Sequence, residues 1–211
     1  MWRLSESQKH DLVTAAIRYS SSYQGSPAEA LMVDRGLGAV AERLGVGFVS
    51  EPAISHERYR GHLAIPYLRP AGGINSVATI RFRRLGDGGG PKYLGLPGHP
   101  PRIFNTQALI NPSPYVAVCE GELDAMAAEA AGVPAVGIPG VSSWRDHFDP
   151  AFAGYETVFV LGDGDDAGRK FSQAMSERLP NAKGVDLGDG YDVNKFVQEF
   201  GHDAFKERLG L

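Results

Sequence analysis

From residue 5 the chain reads SESQKHDLVTAAIRYSSSY. Leu12, Ala15, Ala16 and Tyr19 recur at the three- and four-residue spacing of one helix face, with a serine placed as cap, which predicts a helix over residues 5–22. GSPAEALMVDRGLG repeats the pattern, with Ser26 as cap, Pro27 in the first turn and Glu29 three residues after the cap. LGAVAERLGVG is a third short helix stopped by Gly45. The period then changes. GHLAIPYLRP, NSVATIRFRRL and PKYLGLPG are β-rich runs separated by Gly and Pro clusters, as in antiparallel strands, and GDGGGP (86–91) between the last two is a loop. From residue 115 short apolar runs alternate with helical ones: YVAVCEG, then ELDAMAAEAAG stopped at Gly132; PAVGIPG; ETVFVLGDG, then DAGRKFSQAMSERLP; and AKGVDLGDG, then DVNKFVQEFG. That alternation predicts a parallel sheet covered by helices. The expected architecture is α/β (α+β overall), with a mixed helical and antiparallel part over 1–112 and a compact parallel-sheet domain over 113–211.

Composition narrows the field of functions. The 211 residues are 43% hydrophobic and 22% charged, ordinary for a water-soluble globular protein. No apolar run nears the roughly 20 residues of a membrane span, and MWRLSESQKHDLV lacks the apolar core of a signal peptide, so a cytoplasmic protein without membrane partners is expected. Cys119 is the only cysteine, which excludes an internal disulfide and a cysteine-based zinc cluster; it reads as a small buried hydrophobe. The net charge of −4 hides an uneven distribution, with a basic IRFRRL and an acid-rich stretch from Glu120 to Asp192. The six histidines are scattered, and Trp144 and Phe148 read as packing residues.

In an open parallel sheet, ligands sit beyond the carboxyl ends of the strands. Glu120 ends one predicted strand; Asp163 and Asp165 follow another, and two-residue spacing in extended chain puts them on one side with Gly164 giving a ligand room to approach. An aspartate in such a loop is commonly a turn residue or helix cap, and Asp166 is the expected cap here. Two acidic strand ends at one topological level point further. Clustered carboxylates repel, and an all-oxygen set without His or Cys suits Mg²⁺ or Mn²⁺, which leaves coordination positions for substrate phosphates.

CEGELDAMAAEAAG followed some 40 residues later by FVLGDGDDAGRKFSQAMSERLP resembles the Toprim domain, the metal-binding fold shared by bacterial-type primases, topoisomerases and some nucleases. The continuation D-x-A-G-R-K and then YDVNKF resembles the primase branch, particularly phage primase-helicases. LMVDRGL…AERLGVGFV is similar to the helical start of the primase core, and HLAIPYLRPAGGINSVATIRFRR with PKYLGLPG to its β-subdomain. The likeness covers about residues 26–200. It implies a catalytic core that makes short RNA primers on a single-stranded DNA template from NTPs by two-metal nucleotidyl transfer, in phage or mobile-element replication. Glu120, Asp163 and Asp165 would be catalytic and bind metal, with Asp124 and Asp192 supporting or holding the second ion. Arg81, Arg83 and Lys92 would hold triphosphate or template phosphates. Asn105 in IFNTQ stands where the family often has a lysine, and Arg169 and Lys170 lie in the D-x-A-G-R-K stretch; all three join the nucleotide-facing set. Glu122 is expected to be only a first-turn helix acid. The zinc-binding and helicase modules common in such primases have no counterpart in these residues, so no zinc is expected, and a separate helicase or template-recognition protein is the expected partner. A Toprim nuclease and a non-catalytic nucleic-acid-binding accessory are the alternatives.

Overall fold

The computed structural model describes residues 3–86 and 88–211; Met1, Trp2 and Asp87 of the GDGGGP loop lie outside the described residues. The chain forms two compact units, Met1–Pro100 and Pro101–Leu211.

In the first unit, helix α1 (Glu6–Ser21) starts from a reciprocal cap: Gln8 N donates to Ser5 Oγ at 3.2 Å and Ser5 N to Gln8 Oε1 at 2.9 Å. Its buried residues are Leu12, Ala15, Ala16 and Tyr19, the face read from the spacing. Helix α2 (Pro27–Asp34) has Ser26 as cap, but Glu29 reaches back to Gly25 N at 2.6 Å. Helix α3 (Gly38–Arg43) follows. Strands β1 (Gly47–Phe48), β2 (Leu63–Leu68), β3 (Val77–Arg83) and β4 (Tyr93–Gly95) form an antiparallel sheet in the order β1-β2-β3-β4. Two residues long, β1 has no legible period and was not anticipated. Its shortness also explains Pro66 in β2. Pairing with β1 stops at Leu63 and Ala64, so the missing N–H falls where β2 is locally an edge. Tyr59 stacks on Phe82 beneath α1, ring centroids 3.8 Å apart.

The second unit has a parallel sheet in the order β6-β5-β7-β8, formed by β5 (Tyr115–Cys119), β6 (Ala135–Gly137), β7 (Thr157–Leu161) and β8 (Ala182–Gly184). The α/β expectation holds. Helices α4 (Glu122–Ala130), α5 (Asp166–Arg178) and α6 (Val193–Leu209) complete it. Residues 101–112, read from sequence as part of the N-terminal portion, pack here: Phe104 bridges Gly137 through N–H···O contacts of 2.9 and 3.2 Å, and Ile103 and Ala108 join the core. Between β6 and β7 the chain makes two 3₁₀ turns, Val141–Ser143 and Asp146–Ala151, which bring Trp144, Phe148 and Phe152 into the same core. Arg178 pins this segment, donating to Asp146 Oδ1 and Asp149 Oδ1 at 2.7 Å each. The helix expected over 192–201 continues to Leu209, but Gly201 (φ 85°, ψ 172°) breaks it into two pieces, a backbone state suited to glycine. Among the described residues no helix is long and apolar enough to cross a membrane.

Candidate active site

β5 and β7 are the two central strands, paired in parallel with Cys119 opposite Leu161. Parallel neighbours finish at the same edge, so Glu120, one residue past β5, meets the loop after β7. Asp163 N lies 3.5 Å from Glu120 Oε2 and donates to it. Burial pushes the Glu120 carboxyl above the usual carboxylate range; the Asp163 N–H opposes this and the Asp165 charge adds to it. Asp124 sits in the first turn of α4, and its Oδ1 accepts from Asn194 N at 3.2 Å, joining α4 to the start of α6. Its carboxyl is pushed up to about 7, first by burial, then by the charges of Asp192 and Asp163. Asp163 therefore bears on both Glu120 and Asp124, with Asp165 acting on the first and Asp192 on the second.

Two of these acids also serve as caps. Asp165 Oδ1 accepts from Gly168 N at 2.8 Å at the start of α5, and Asp192 Oδ1 from Lys195 N at 2.6 Å at the start of α6. Asp166, the expected cap, is instead the first residue of α5; it is exposed and paired with Arg169 at 2.6 Å. Asp163 and Asp165 also part company. β7 ends at Leu161, so strand alternation no longer governs them: Asp163 is half-buried and Asp165 exposed. Gly164 does not leave room for a ligand. Its N–H donates to Tyr191 O at 2.7 Å and its carbonyl accepts from Gly190 N at 2.8 Å. A Cβ there would lie 2.1 Å from Gly188 O. The glycine lets two acid-bearing loops clasp each other, backbone to backbone.

The remaining predicted residues lie on other elements of the two units. Arg81 and Arg83 lie on β3, on the same side as Tyr93, with guanidinium carbons 5.0 and 5.9 Å from its ring centroid. Arg83 is buried, and Lys92 is exposed just before β4. Arg169 and Lys170 are exposed on α5, with Arg169 bound to Asp166 and, at 3.3 Å, to Asp189. Asn105 is 3% exposed in a left-handed turn, its Nδ2 donating to Ala135 O at 2.8 Å; that burial gives it a structural task rather than an open nucleotide contact. Glu122 is in the first turn of α4, as expected, yet only 2% exposed. The sequence reading missed Asn194 and the Gly188–Tyr191 clasp; the glycines flanking Asp189 were the available signal.

The donor chemistry suits a hard divalent cation: five carboxylates, with Glu120 and Asp124 both held toward the protonated state that a cation would reverse. As placed, no three His, Cys, Asp or Glu among the described residues are gathered closely enough to ligate one ion together, which leaves one or two carboxylates per ion with water or phosphate oxygens completing its shell.

A family described as Toprim-like matches residues 117–197, the segment that carries all five acids. In overall structure the chain is similar to the zinc-binding and RNA polymerase domains of the Aquifex aeolicus primase, with a TM-score of 0.80 at 21% identity over 99% of this chain and 62% of that one. It is 27% identical to the Pseudomonas aeruginosa DNA primase, over 76% of this chain and 26% of that protein. It is 48% identical to the Gene 57 protein of Mycobacterium phage D29 over 152 residues, 72% of this chain and 99% of that protein. The chain belongs to this Toprim-domain family with the DnaG-type primase core. The RNA polymerase domain of the Mycobacterium tuberculosis DnaG primase, solved with double-stranded DNA carrying a 6-nucleotide overhang, aligns with a TM-score of 0.78 at 19% identity, over 96% of this chain and 79% of that one. The chain spans about a quarter to a third of the curated DNA primases it matches. In terms of the primase-core fold, Glu120 and Asp163 stand at the switch between the two central strands, where a doubly wound sheet places its ligands.

Proposed function

We propose that this primase-like core synthesises short RNA primers on single-stranded DNA in phage DNA replication, inside the host cytoplasm, as a metal-dependent nucleotidyltransferase. The observation that carries this reading is the convergence of Glu120 and Asp163 at the ends of adjacent central strands, with Asp124 and Asp192 linked to them electrostatically. Glu120, Asp163 and Asp165 would hold Mg²⁺ or Mn²⁺ once their side chains turn toward a common ion, with Asp124 and Asp192 for a second ion. Such ions supply charge stabilisation to the attacking and leaving oxygens of nucleotidyl transfer. The chain's own part is to keep Glu120 and Asp163 in register through the Asp163 N–H and the Gly164 clasp. Arg81, Lys92, Arg169 and Lys170 are the side chains through which phosphates of NTPs or template would be held, by guanidinium forks and ammonium point charges. A helicase or a separate template-recognition protein would choose the site.

The test is a primer-synthesis assay with labelled ATP, the other NTPs, Mg²⁺ or Mn²⁺ and mixed-sequence single-stranded DNA, with and without the cognate helicase. Short RNA products are expected from the wild type and none from Glu120→Ala or Asp163→Ala. NTP-independent cutting of the DNA, lost in the same variants, would replace this reading with a Toprim nuclease. No product under any of these conditions would sink it.

A further inference from the structure

The first unit holds a cavity of about 550 Å³ between α1 and the segments around residues 53–56 and 96–99, distant in sequence from the five acids of the candidate active site. His56 lines it and is 8% exposed. Its tautomer follows from its neighbours. Tyr19 Oη accepts from Ala53 N at 3.0 Å and lies 2.8 Å from His56 Nδ1. Tyr19 is 1% exposed, and among the described residues Nδ1 is the one acceptor for its hydroxyl proton. Nδ1 is therefore the acceptor, and the neutral ring carries its proton on Nε2. Burial lowers the pKa of His56, in keeping with a neutral ring. Nε2–H has no hydrogen-bond partner among the described residues. The wall thus offers one fixed, unpartnered donor.

The other walls show what could accept from it. Leu4, Leu12 and Leu96 form a buried apolar floor, and Ile54 stands at the rim, 92% exposed, beside Ser55 in a left-handed conformation (φ 69°) uncommon outside glycine. Asp11 and Arg18 line the cavity from α1, and neither carries an ion pair among the described residues. They are seven residues apart, two helical turns or about 10.5 Å along the axis. Backbone positions spaced so match three to four residues of extended peptide at about 3.3 Å each.

We infer that this cavity docks an extended peptide segment of a partner protein: an apolar side chain on the leucine floor under Ile54, a backbone carbonyl accepting from His56 Nε2–H, a basic residue toward Asp11 and an acidic one toward Arg18. The charge pair along α1 selects the partner and the apolar anchor holds it.

The test uses fluorescein-labelled, amidated pentapeptides with leucine at the centre and alanines beside it. The ends are Lys and Asp, Lys and Lys, Asp and Asp, or Gln and Gln. Binding is followed by anisotropy, and the His56 ring by ¹⁵N NMR. The Lys/Asp peptide should bind the wild type best, about tenfold over the like-charged pair, and should shift the Nε2 resonance with Nδ1 unprotonated. Arg18→Asp, an exposed change that spares the Tyr19–His56 pair, should hand the preference to the Lys/Lys peptide. Ile54→Ser, checked for folding by circular dichroism, should weaken every peptide several-fold. Failure of all four peptides to move the Nε2 resonance would overturn the inference. So would a ranking unchanged in Arg18→Asp, or N-acetyl-leucine amide alone binding as tightly as the Lys/Asp peptide.

Discussion

Gly164→Ala tests how the acid loops are built. The new Cβ would lie 2.1 Å from Gly188 O, 2.8 Å from Gly190 N and 2.9 Å from Tyr191 N, all backbone atoms that no side-chain rotation can move aside. Restoring ordinary contact requires the Gly188–Tyr191 turn to retreat by about 1.3 Å. That opens both hydrogen bonds of the clasp, at 2.7 and 2.8 Å. Two such bonds at about 1 kcal/mol each, with about 1 kcal/mol of residual strain, sum to about 3 kcal/mol. For a unit of this size that corresponds to a melting temperature lower by about 10 °C. The assay is thermal unfolding followed by circular dichroism in EDTA, so that no cation contributes. If Gly164 instead served to admit a ligand, the metal-free protein would keep its stability and lose only its response to Mg²⁺ or nucleotide. Unfolding within about 2 °C of wild type in EDTA would refute the clasp reasoning.

Other perturbations read other links. Asp124 has its pKa raised to about 7 against an unfolded value of 3.8, so the stability its protonated form contributes is full below about pH 4 and lost as pH rises through 7. Asp124→Asn should therefore stabilise the metal-free protein more at pH 8 than at pH 5, and equal effects in denaturation at the two values would contradict this. Arg178→Ala removes the clamp on Asp146 and Asp149 and should lower the melting temperature, more at low salt than at high. Tyr19→Phe leaves Ala53 N and His56 Nδ1 without their shared hydroxyl and should destabilise the first unit by roughly 2 kcal/mol in urea titration.

Much of this was legible from the order of residues, for identifiable reasons. The buried face of α1, the alternation after residue 115 and the two acidic strand ends follow from periodicity and from the rule that parallel strands finish at one edge. What stayed hidden depends on tertiary closure. Asp165 rather than Asp166 caps α5 because β7 ends earlier than the apolar run suggests. Gly164 looked like clearance for a ligand because its close neighbours, Gly188 to Tyr191, are more than twenty residues downstream. Asn105 resembled a contact residue in its motif, yet its φ of 57° and its bond to Ala135 O make it a buried turn. The 3₁₀ segment around Trp144 had no period to read, although its aromatics were correctly assigned to packing.

Cys119 is fully buried at the end of β5, and burial together with the nearby acids raises its thiol well above the ordinary range. As the only cysteine in the chain, it leaves the native protein unresponsive to maleimides and other thiol reagents. A single cysteine introduced at exposed Ile54 or Phe200 would then carry a fluorophore or spin label alone, with no background to subtract. The fold thus supplies a ready-made blank for spectroscopy, and the wild-type chain can be labelled site by site without first removing a residue from the sheet that carries the acids.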